Sequence, residues 1–139
     1  MITFDPEHWL EVAEACCEPI RGVDEEALLR TALNRVYYAV LLSVKQRIER
    51  AQGYGAVPRT RTHAAILDAL RSGDSHFVRI HDGLQRLRRR REAADYKLRS
   101  APLIATRVHA HLERGRWLIR NRIKALSDIE FRRLNVRRT

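Results

Sequence analysis

Cysteine is almost absent from this 139-residue chain, which contains only Cys16 and Cys17. The two residues are adjacent in a segment that reads as a helix, where neighbouring side chains point about 100° apart, so no disulfide between them is expected. Neither forms a metal-ligand cluster with a nearby histidine. These features exclude a small disulfide-stapled secreted domain and predict a protein of the reducing cytoplasm.

Long apolar runs are missing as well. The longest, Val36 to Val44, spans nine residues and contains the polar Ser43, whereas a membrane-spanning helix needs about 20 apolar residues. The N-terminal sequence has neither a basic start nor an apolar run after it, so no signal peptide is predicted. We therefore expect a protein that does not interact with a membrane.

Glycine and proline are scarce, with six and four residues respectively. A β-sandwich needs more turn residues than this, whereas 45% apolar and 32% charged residues suit long amphipathic helices. The length allows one compact domain and is too short for two ordinary ones. We predict an all-α, up-and-down bundle of four to five helices over residues 1–131, followed by a basic tail over residues 132–139.

Five helical segments are predicted from hydrophobic periodicity and from the helix-breaking residues between them. Asp5 is a suitable N-cap for the first segment, with Pro6 at its first helical position. The middle of the second segment is apolar on every side, which is typical of a central, buried helix. The predicted segments run from about Pro6 to Cys17, Asp24 to Ala51, His63 to Leu70, Ser75 to Leu98 and Ile104 to Ser127.

The net charge of +10 is unevenly distributed along the chain. Residues 1–28 hold eight acidic groups against Arg21 alone, and the balance reverses from Arg88 onward. A basic surplus of this kind favours a polyanionic partner such as RNA or DNA, or an acidic protein. The charge alone does not separate these alternatives.

The fourth segment carries an arginine in its packing stripe. The stripe repeats every three and four residues as Phe77, Ile80, Leu84, Leu87, Arg91, Ala94 and Leu98. An arginine at such a position is costly unless it is paired or reaches a wet cleft. Asp95 lies at i+4, where a carboxylate can pair with Arg91, and Tyr96 follows it. The pattern fits a structural ion pair between Arg91 and Asp95 at the edge of the bundle. It fits equally well a functional site in which Arg91, Asp95 and Tyr96 stand at the lip of a cleft.

Three segments, in order, resemble the HEPN family of small bacterial helical proteins. Arg91-Glu-Ala-Ala-Asp95-Tyr96 resembles the family's Arg-x-x-Ala-Asp-Tyr signature. The segment around Asn34-Arg35-Val-Tyr37-Tyr38-Ala39 resembles its second helix, and His63-Ala-Ala-Ile resembles the histidine that opens its third helix. The resemblance covers roughly residues 25–98 and implies a helical bundle that dimerises.

The resemblance also implies a type of chemistry. In the ribonuclease members an arginine and a histidine, four to six residues apart, cleave RNA without a metal; the histidine helps to activate the ribose 2′-hydroxyl and the arginine stabilises developing phosphate charge. This chain has no histidine within six residues after Arg88–Arg91, and Asp95 stands at about that place. An aspartate with a pKa near 4 is a poor general acid at neutral pH. Whether the chain is an enzyme therefore stays open.

The candidate site residues follow from these segments. Arg91, Asp95 and Tyr96 are the candidates for catalysis, and Asn34, Arg35, Arg88 and Lys97 are the candidates for binding RNA or a partner. The run Arg88–Arg91 wraps around its helix, so Arg88, Arg89 and Arg90 fit a solvated face with Glu92 as a local counter-charge. They fit equally an RNA-binding groove formed with Lys97, Arg99 and the basic fifth helix. His109 and His111 are two residues apart and point away from each other, so no metal site is predicted, and no cofactor is predicted either.

Three functions are compatible with the sequence. The first is a homodimeric HEPN protein of a toxin–antitoxin, defence or CRISPR-associated system, which binds RNA, a nucleotide or a partner protein at a cleft around Arg91. The resemblance suggests a nucleotidyltransferase-type antitoxin as its partner, with Tyr96 as the residue that could be modified with AMP. The second is a metal-independent endoribonuclease toxin in which Asp95, Tyr96 or a histidine from elsewhere replaces the usual base. The third is a non-catalytic assembly adaptor.

Overall fold

The computed structural model describes residues 4–96 and 104–137, with the backbone alone for residues 94–96. Every regular element in these ranges is helical, and the helices pack as a bundle, which confirms the all-α prediction. The helices are α1 (His8–Cys16), α2 (Glu25–Gln52), α3 (Thr62–Arg71), α4 (Ser75–Tyr96), α5 (Ala105–Trp117), a π-helical turn (Leu118–Ile123) that continues α5, and α6 (Asp128–Arg132).

Helix α2 is the centre of the bundle, as its apolar middle predicts. It contacts α1, α3, α4, α5, the π turn and α6. Val36, Tyr37, Ala39 and Val40 are fully buried, so neighbours cover this part of the helix on several sides. At its start, the Asp24 carboxylate accepts a hydrogen bond from the backbone N–H of Ala27 at 3.3 Å, which satisfies one of the free amides of the first turn.

The packing stripe of α4 is confirmed over the part of it that the structure describes. Phe77, Ile80, Leu84 and Leu87 are all buried in the core. The stripe places α4 against α2 and α3 and brings Arg91, one turn further on, to the edge of the same interface.

The first helix begins two residues later than predicted. The Asp5 carboxylate accepts a hydrogen bond from the Glu7 backbone N–H at 2.9 Å, and the His8 N–H bonds to the Asp5 carbonyl. Asp5 therefore closes a turn of its own before the helix instead of capping it, since aspartate readily bonds to the backbone two residues on.

The C-terminal region differs most from the prediction, which was one helix to Ser127. The backbone N–H of Lys124 bonds to the Ile119 carbonyl five residues back, so α5 widens into a π turn. Helix α6 then starts with a capping box in which Ser127 and Glu130 bond each other's backbone N–H groups. The α6 residue Phe131 is fully buried.

Helix α2 holds this C-terminal region through two polar side chains. Arg47 donates a hydrogen bond to the Ile123 carbonyl at 2.9 Å, and its guanidinium lies 4.6 Å from the centre of the Phe131 ring. Gln52 donates to the carbonyls of Phe131 and Leu134 at 2.9 and 2.8 Å. Leu134 is itself buried; the boundary of the basic tail at residue 131 stays a prediction. None of the helices described is both long and apolar enough to cross a membrane.

Candidate functional site

Three segments that are far apart in the sequence meet at one place, which we name the Arg91 cluster: Tyr37 and Tyr38 of α2, His63 of α3 and Arg91 of α4. The Arg91 guanidinium lies 4.8 Å from the centre of the Tyr37 ring and 5.6 Å from that of Tyr38. One of its nitrogens donates a hydrogen bond to the Tyr38 hydroxyl at 3.3 Å. The cation is thus held against two aromatic rings, which stabilises it in a half-buried position.

Tyr37 and His63 form the inner half of the cluster. The Tyr37 hydroxyl and His63 Nδ1 are 2.7 Å apart, and the two rings stack with centroids 5.5 Å apart. Burial raises the pKa of Tyr37 to about 12, although the nearby Arg88 and Arg91 act in the opposite direction. Burial, helped by Arg91 and Arg88, lowers the pKa of His63 below its ordinary value. At neutral pH the phenol is therefore protonated and the imidazole is neutral.

The hydrogen bond between these two residues determines which imidazole nitrogen carries the proton. Tyr37 is fully buried, and its hydroxyl proton needs an acceptor. Among the side chains that the structure describes, His63 Nδ1 is the acceptor in contact with this hydroxyl. With Nδ1 accepting, a neutral imidazole carries its proton on Nε2. His63 is then a hydrogen-bond donor to any ligand that reaches Nε2.

A groove of about 460 Å³ opens beside the cluster, and we name it the α2–α3 groove. Its volume is within the range of small-molecule sites. Over the part of the chain whose side chains are described, its lining contains four cations and no carboxylate. The lining residues are Tyr38, Leu41, Leu42, Lys45, Arg59, Arg61, Thr62, His63, Ala64 and Arg88.

Arg91 itself is not among the residues that line this groove. Arg91 is hydrogen-bonded to Tyr38, which does line the groove. Arg88, one turn earlier on α4, lines the groove directly. Arg88 also pairs with Glu92 at 3.1 Å. Arg89 and Arg90 are exposed, so the basic run wraps around α4 as predicted.

The other predicted binding residues of α2 are placed differently. The guanidinium of Arg35 lies 4.4 Å from the centre of the Trp9 ring, so Arg35 packs on α1. Asn34 is half-buried and does not line the α2–α3 groove. Arg35 is two residues before Tyr37, so on a helix its side chain points about 160° away from that of Tyr37.

Part of the predicted site lies outside the described residues. The backbone of Asp95 and Tyr96 belongs to α4, but their side chains are not described, and neither is Lys97. The pairing of Asp95 with Arg91 and the modification of Tyr96 stay predictions.

Sequence reasoning did not single out Lys45, Arg59 or Arg61 as site residues. Arg61 precedes α3 with a left-handed backbone, φ 61°, and Arg59 is in the loop before it. Two arginines in a Gly- and Pro-containing loop were a usable signal for a binding surface. Lys45 gave no such signal, since a lysine on a long helix is ordinarily a solvated residue.

The comparisons with known proteins add no relative. No family model matches the chain, and no curated protein or solved structure matches it. The HEPN resemblance therefore depends on the three sequence segments alone. Within the described ranges, no three side chains of His, Cys, Asp or Glu are grouped as metal ligands.

Proposed function

We propose that this chain binds RNA, or a nucleotide, in the α2–α3 groove. The observation that carries the proposal is the lining of the groove, which among the described side chains contains four cations and no carboxylate. Lys45 and Arg88 approach from two different helices and Arg59 and Arg61 from the loop before α3, an arrangement suited to phosphate groups. Tyr38 and the Nε2–H of His63 add an aromatic surface and a neutral donor.

Arg91 acts in this proposal as a positioning residue. Its contacts are with Tyr37 and Tyr38, and the Tyr38 ring forms the wall of the groove. Replacement by methionine, which fills similar volume without charge, frees the Tyr38 hydroxyl. We expect Arg91→Met to weaken binding without changing the number of counterions released, because no phosphate contact is lost.

The test is the binding of a single-stranded oligouridylate, followed by fluorescence anisotropy over a range of salt concentrations. Lys45→Gln and Arg88→Gln each remove one phosphate contact, so each should weaken binding and reduce the slope of log K against log[salt] by about 0.7. Arg89→Gln is the matched control, since it removes the same charge next to Arg88 but on an exposed face. Equal losses in Arg88→Gln and Arg89→Gln contradict the proposal.

A metal-independent endoribonuclease is the second candidate, and the position of His63 favours it. His63, from another helix, belongs to the Arg91 cluster, whereas the sequence has no histidine within six residues after Arg91. In the cleavage step the ribose 2′-oxygen attacks the phosphorus and gives its proton to water, while the bond to the 5′-oxygen breaks and that oxygen takes a proton from water. The neutral His63 donates a hydrogen bond from Nε2 to a phosphate oxygen and so stabilises the developing charge. Incubation of RNA with the protein in EDTA tests this: cleavage that His63→Gln and Arg91→Met abolish supports the enzyme. Intact RNA after long incubation leaves binding as the function.

The biological setting is proposed on the resemblance alone. A homodimeric HEPN protein of a toxin–antitoxin, defence or CRISPR-associated system is the first proposal, with a nucleotidyltransferase as partner. A nucleotidyltransferase gene next to this one, together with an AMP-sized mass increase on Tyr96 after co-expression, supports it. A non-catalytic assembly adaptor is the alternative, and RNA binding with a steep salt dependence counts against the adaptor.

A further inference from the structure

The basic residues of α5 and of the π turn, together with Lys124 after it, lie on two sides of the helix. Carboxylates of α1 and of Glu7, just before α1, pair with the basic residues on one of these sides. Arg116 pairs with Glu14 at 3.1 Å, and Lys124 pairs with Glu7 at 2.8 Å. Arg120 also approaches Glu7, at 3.7 Å. The acidic N-terminal region thus offsets part of the basic C-terminal region by direct contact.

The side of α5 that faces α4 has no such compensation from α1. A groove of about 490 Å³ lies there, which we name the α4–α5 groove. Four of its eight lining residues are arginines and one is acidic. The lining residues are Arg79, Asp82, Gly83, Arg86, Arg114, Trp117, Leu118 and Arg122. Asp82 is next to His81 Nδ1, at 3.0 Å, so its carboxylate already has a partner.

An exposed tryptophan stands in this basic groove. The Trp117 side chain is 48% exposed, and the Arg122 guanidinium lies 5.0 Å from the centre of its ring. In a regular α-helix residues five apart point about 140° away from each other. In the π turn, i→i−5 hydrogen bonding brings residues five apart toward the same side of the helix, so the Arg122 side chain lies against the Trp117 ring. The widened turn therefore builds the pair.

The floor of the groove depends on a glycine. A Cβ atom added to Gly83 would lie 2.7 Å from both methyl carbons of Leu118. The absence of a side chain at position 83 lets the π turn approach α4 closely, so the groove has an apolar floor between basic walls. Its chemistry combines cations for phosphates with an aromatic surface for a base.

We propose that the α4–α5 groove binds single-stranded nucleic acid, with phosphates at Arg79, Arg86 and Arg114 and a base stacked on Trp117. This site is separate from the α2–α3 groove. Arg79 and Arg88 are nine residues apart on α4, so they point about 180° away from each other. The proposal stands independently of the function proposed above. An unpaired strand fits because a base in a duplex is not free to stack on a side chain.

The experiment measures Trp117 fluorescence and oligonucleotide affinity together. The probe is a twelve-residue oligouridylate, with linear polyphosphate and a duplex of equal charge as comparisons. We expect the oligouridylate to quench tryptophan emission, and the quenching to disappear in Trp117→Phe, where only Trp9 emits. We expect Trp117→Leu, which removes the aromatic ring, to weaken binding at least fivefold without changing the salt slope.

The charge contacts are tested with matched double variants. Arg79→Gln/Arg86→Gln removes two groove arginines, and Arg71→Gln/Arg132→Gln removes two exposed arginines outside it. The first should weaken binding at least fivefold and lower the salt slope by about 1.4, which corresponds to two phosphates; the second should change both little. Circular dichroism establishes that each variant is folded.

Four results overturn the proposal. They are equal losses in the two double variants, quenching by polyphosphate alone, equal affinity for the duplex, and displacement of the oligouridylate by polyglutamate at equal charge. Lys45→Gln and Arg88→Gln serve to separate the two sites. If those two variants abolish the Trp117 quenching while the groove double variant retains it, the oligonucleotide binds in the α2–α3 groove instead.

Discussion

His63 shows how the fold changes a single side chain. In the sequence it is one of six histidines and opens a short helix. In the structure it stacks on Tyr37, touches the edge of Tyr38 and lies near two arginines. Burial and positive charge both disfavour its protonated form, so its pKa falls, and the hydrogen bond to Tyr37 places its proton on Nε2.

Acidification should therefore destabilise the fold through His63. Because the pKa is lower in the folded state than the unfolded value of about 6.5, the unfolded state binds more protons as pH falls below about 6.5. The contribution of His63 to stability is present above that pH and is lost below it. Urea unfolding between about pH 5 and 7 should show a shallower pH dependence in His63→Gln than in the wild type.

Two comparisons sharpen this prediction. Burial, with Arg90 and Arg114 nearby, also lowers the pKa of His111, so His111→Gln should flatten the pH dependence in the same direction. His76 is exposed, and His76→Gln is the control for removal of a histidine as such. A pH dependence that steepens in His63→Gln contradicts the prediction.

At the scale of helices, glycines set how closely neighbouring elements pack. Gly115 of α5 is buried, and an added Cβ would lie 2.6 Å from a methyl carbon of Val36 in α2. Gly83 has the corresponding role between α4 and the π turn. Periodicity predicts which face of a helix is buried, but it does not give the distance between two helix axes, because that distance depends on both surfaces.

Gly115→Ala should destabilise the fold, although alanine favours a helix. Overpacking costs about 1–3 kcal/mol, whereas the change from glycine to alanine gains about 1 kcal/mol in helix propensity. Val36 is β-branched and fully buried, so it has little freedom to move aside. Urea denaturation should show a net loss of up to about 2 kcal/mol. In a double-mutant cycle, Val36→Ala should relieve part of the loss; strictly additive effects would disprove the clash.

At the scale of the whole molecule, acidic residues predominate near the N-terminus and basic residues toward the C-terminus, and salt bridges between the two regions neutralise part of the charge. Glu14 of α1 pairs with Arg116 of α5, and Glu7, just before α1, pairs with Lys124, just after the π turn. The net charge of the chain is +10, and two grooves on opposite sides of α4 are each lined by four cations. A surplus of this size favours polyanions as partners and weakens the folded state by self-repulsion.

The thermal stability should therefore rise with moderate salt. Increasing NaCl from about 20 to about 200 mM shortens the Debye length and screens repulsion between exposed arginines. Arg86→Gln, which removes a cation from the α4–α5 groove, should raise Tm and narrow its dependence on salt. Glu14→Gln, which removes the partner of Arg116, should lower Tm and make Tm depend more strongly on salt. Scanning calorimetry measures Tm for the wild type and both variants at each salt concentration. A wild-type Tm that falls as NaCl increases would show that repulsion between arginines does not limit the stability.

Much of the fold could be predicted from local pattern. The buried α2, the packing stripe from Phe77 to Leu87 and the course of the basic run around α4 all follow from helical periodicity. The start of α6 has a local signal, since Ser127 and Glu130 form a capping box. The π turn and the packing of α6 on α2 could not be predicted, because Arg47 and Gln52 of α2 bind carbonyl groups of this region about 80 residues away in the sequence, and no local pattern records such a partner.

The candidate site divides in the same way. Composition and a period of 3.6 residues predict that the chain is helical, that it is basic, and that the run Arg88–Arg91 wraps around its helix. Three features could be known only from the folded chain: His63 joins Tyr37 and Arg91, one groove is lined by Lys45, Arg59 and Arg61, and Glu14 of α1 pairs with Arg116 of α5. These depend on contacts between distant segments, which packing determines.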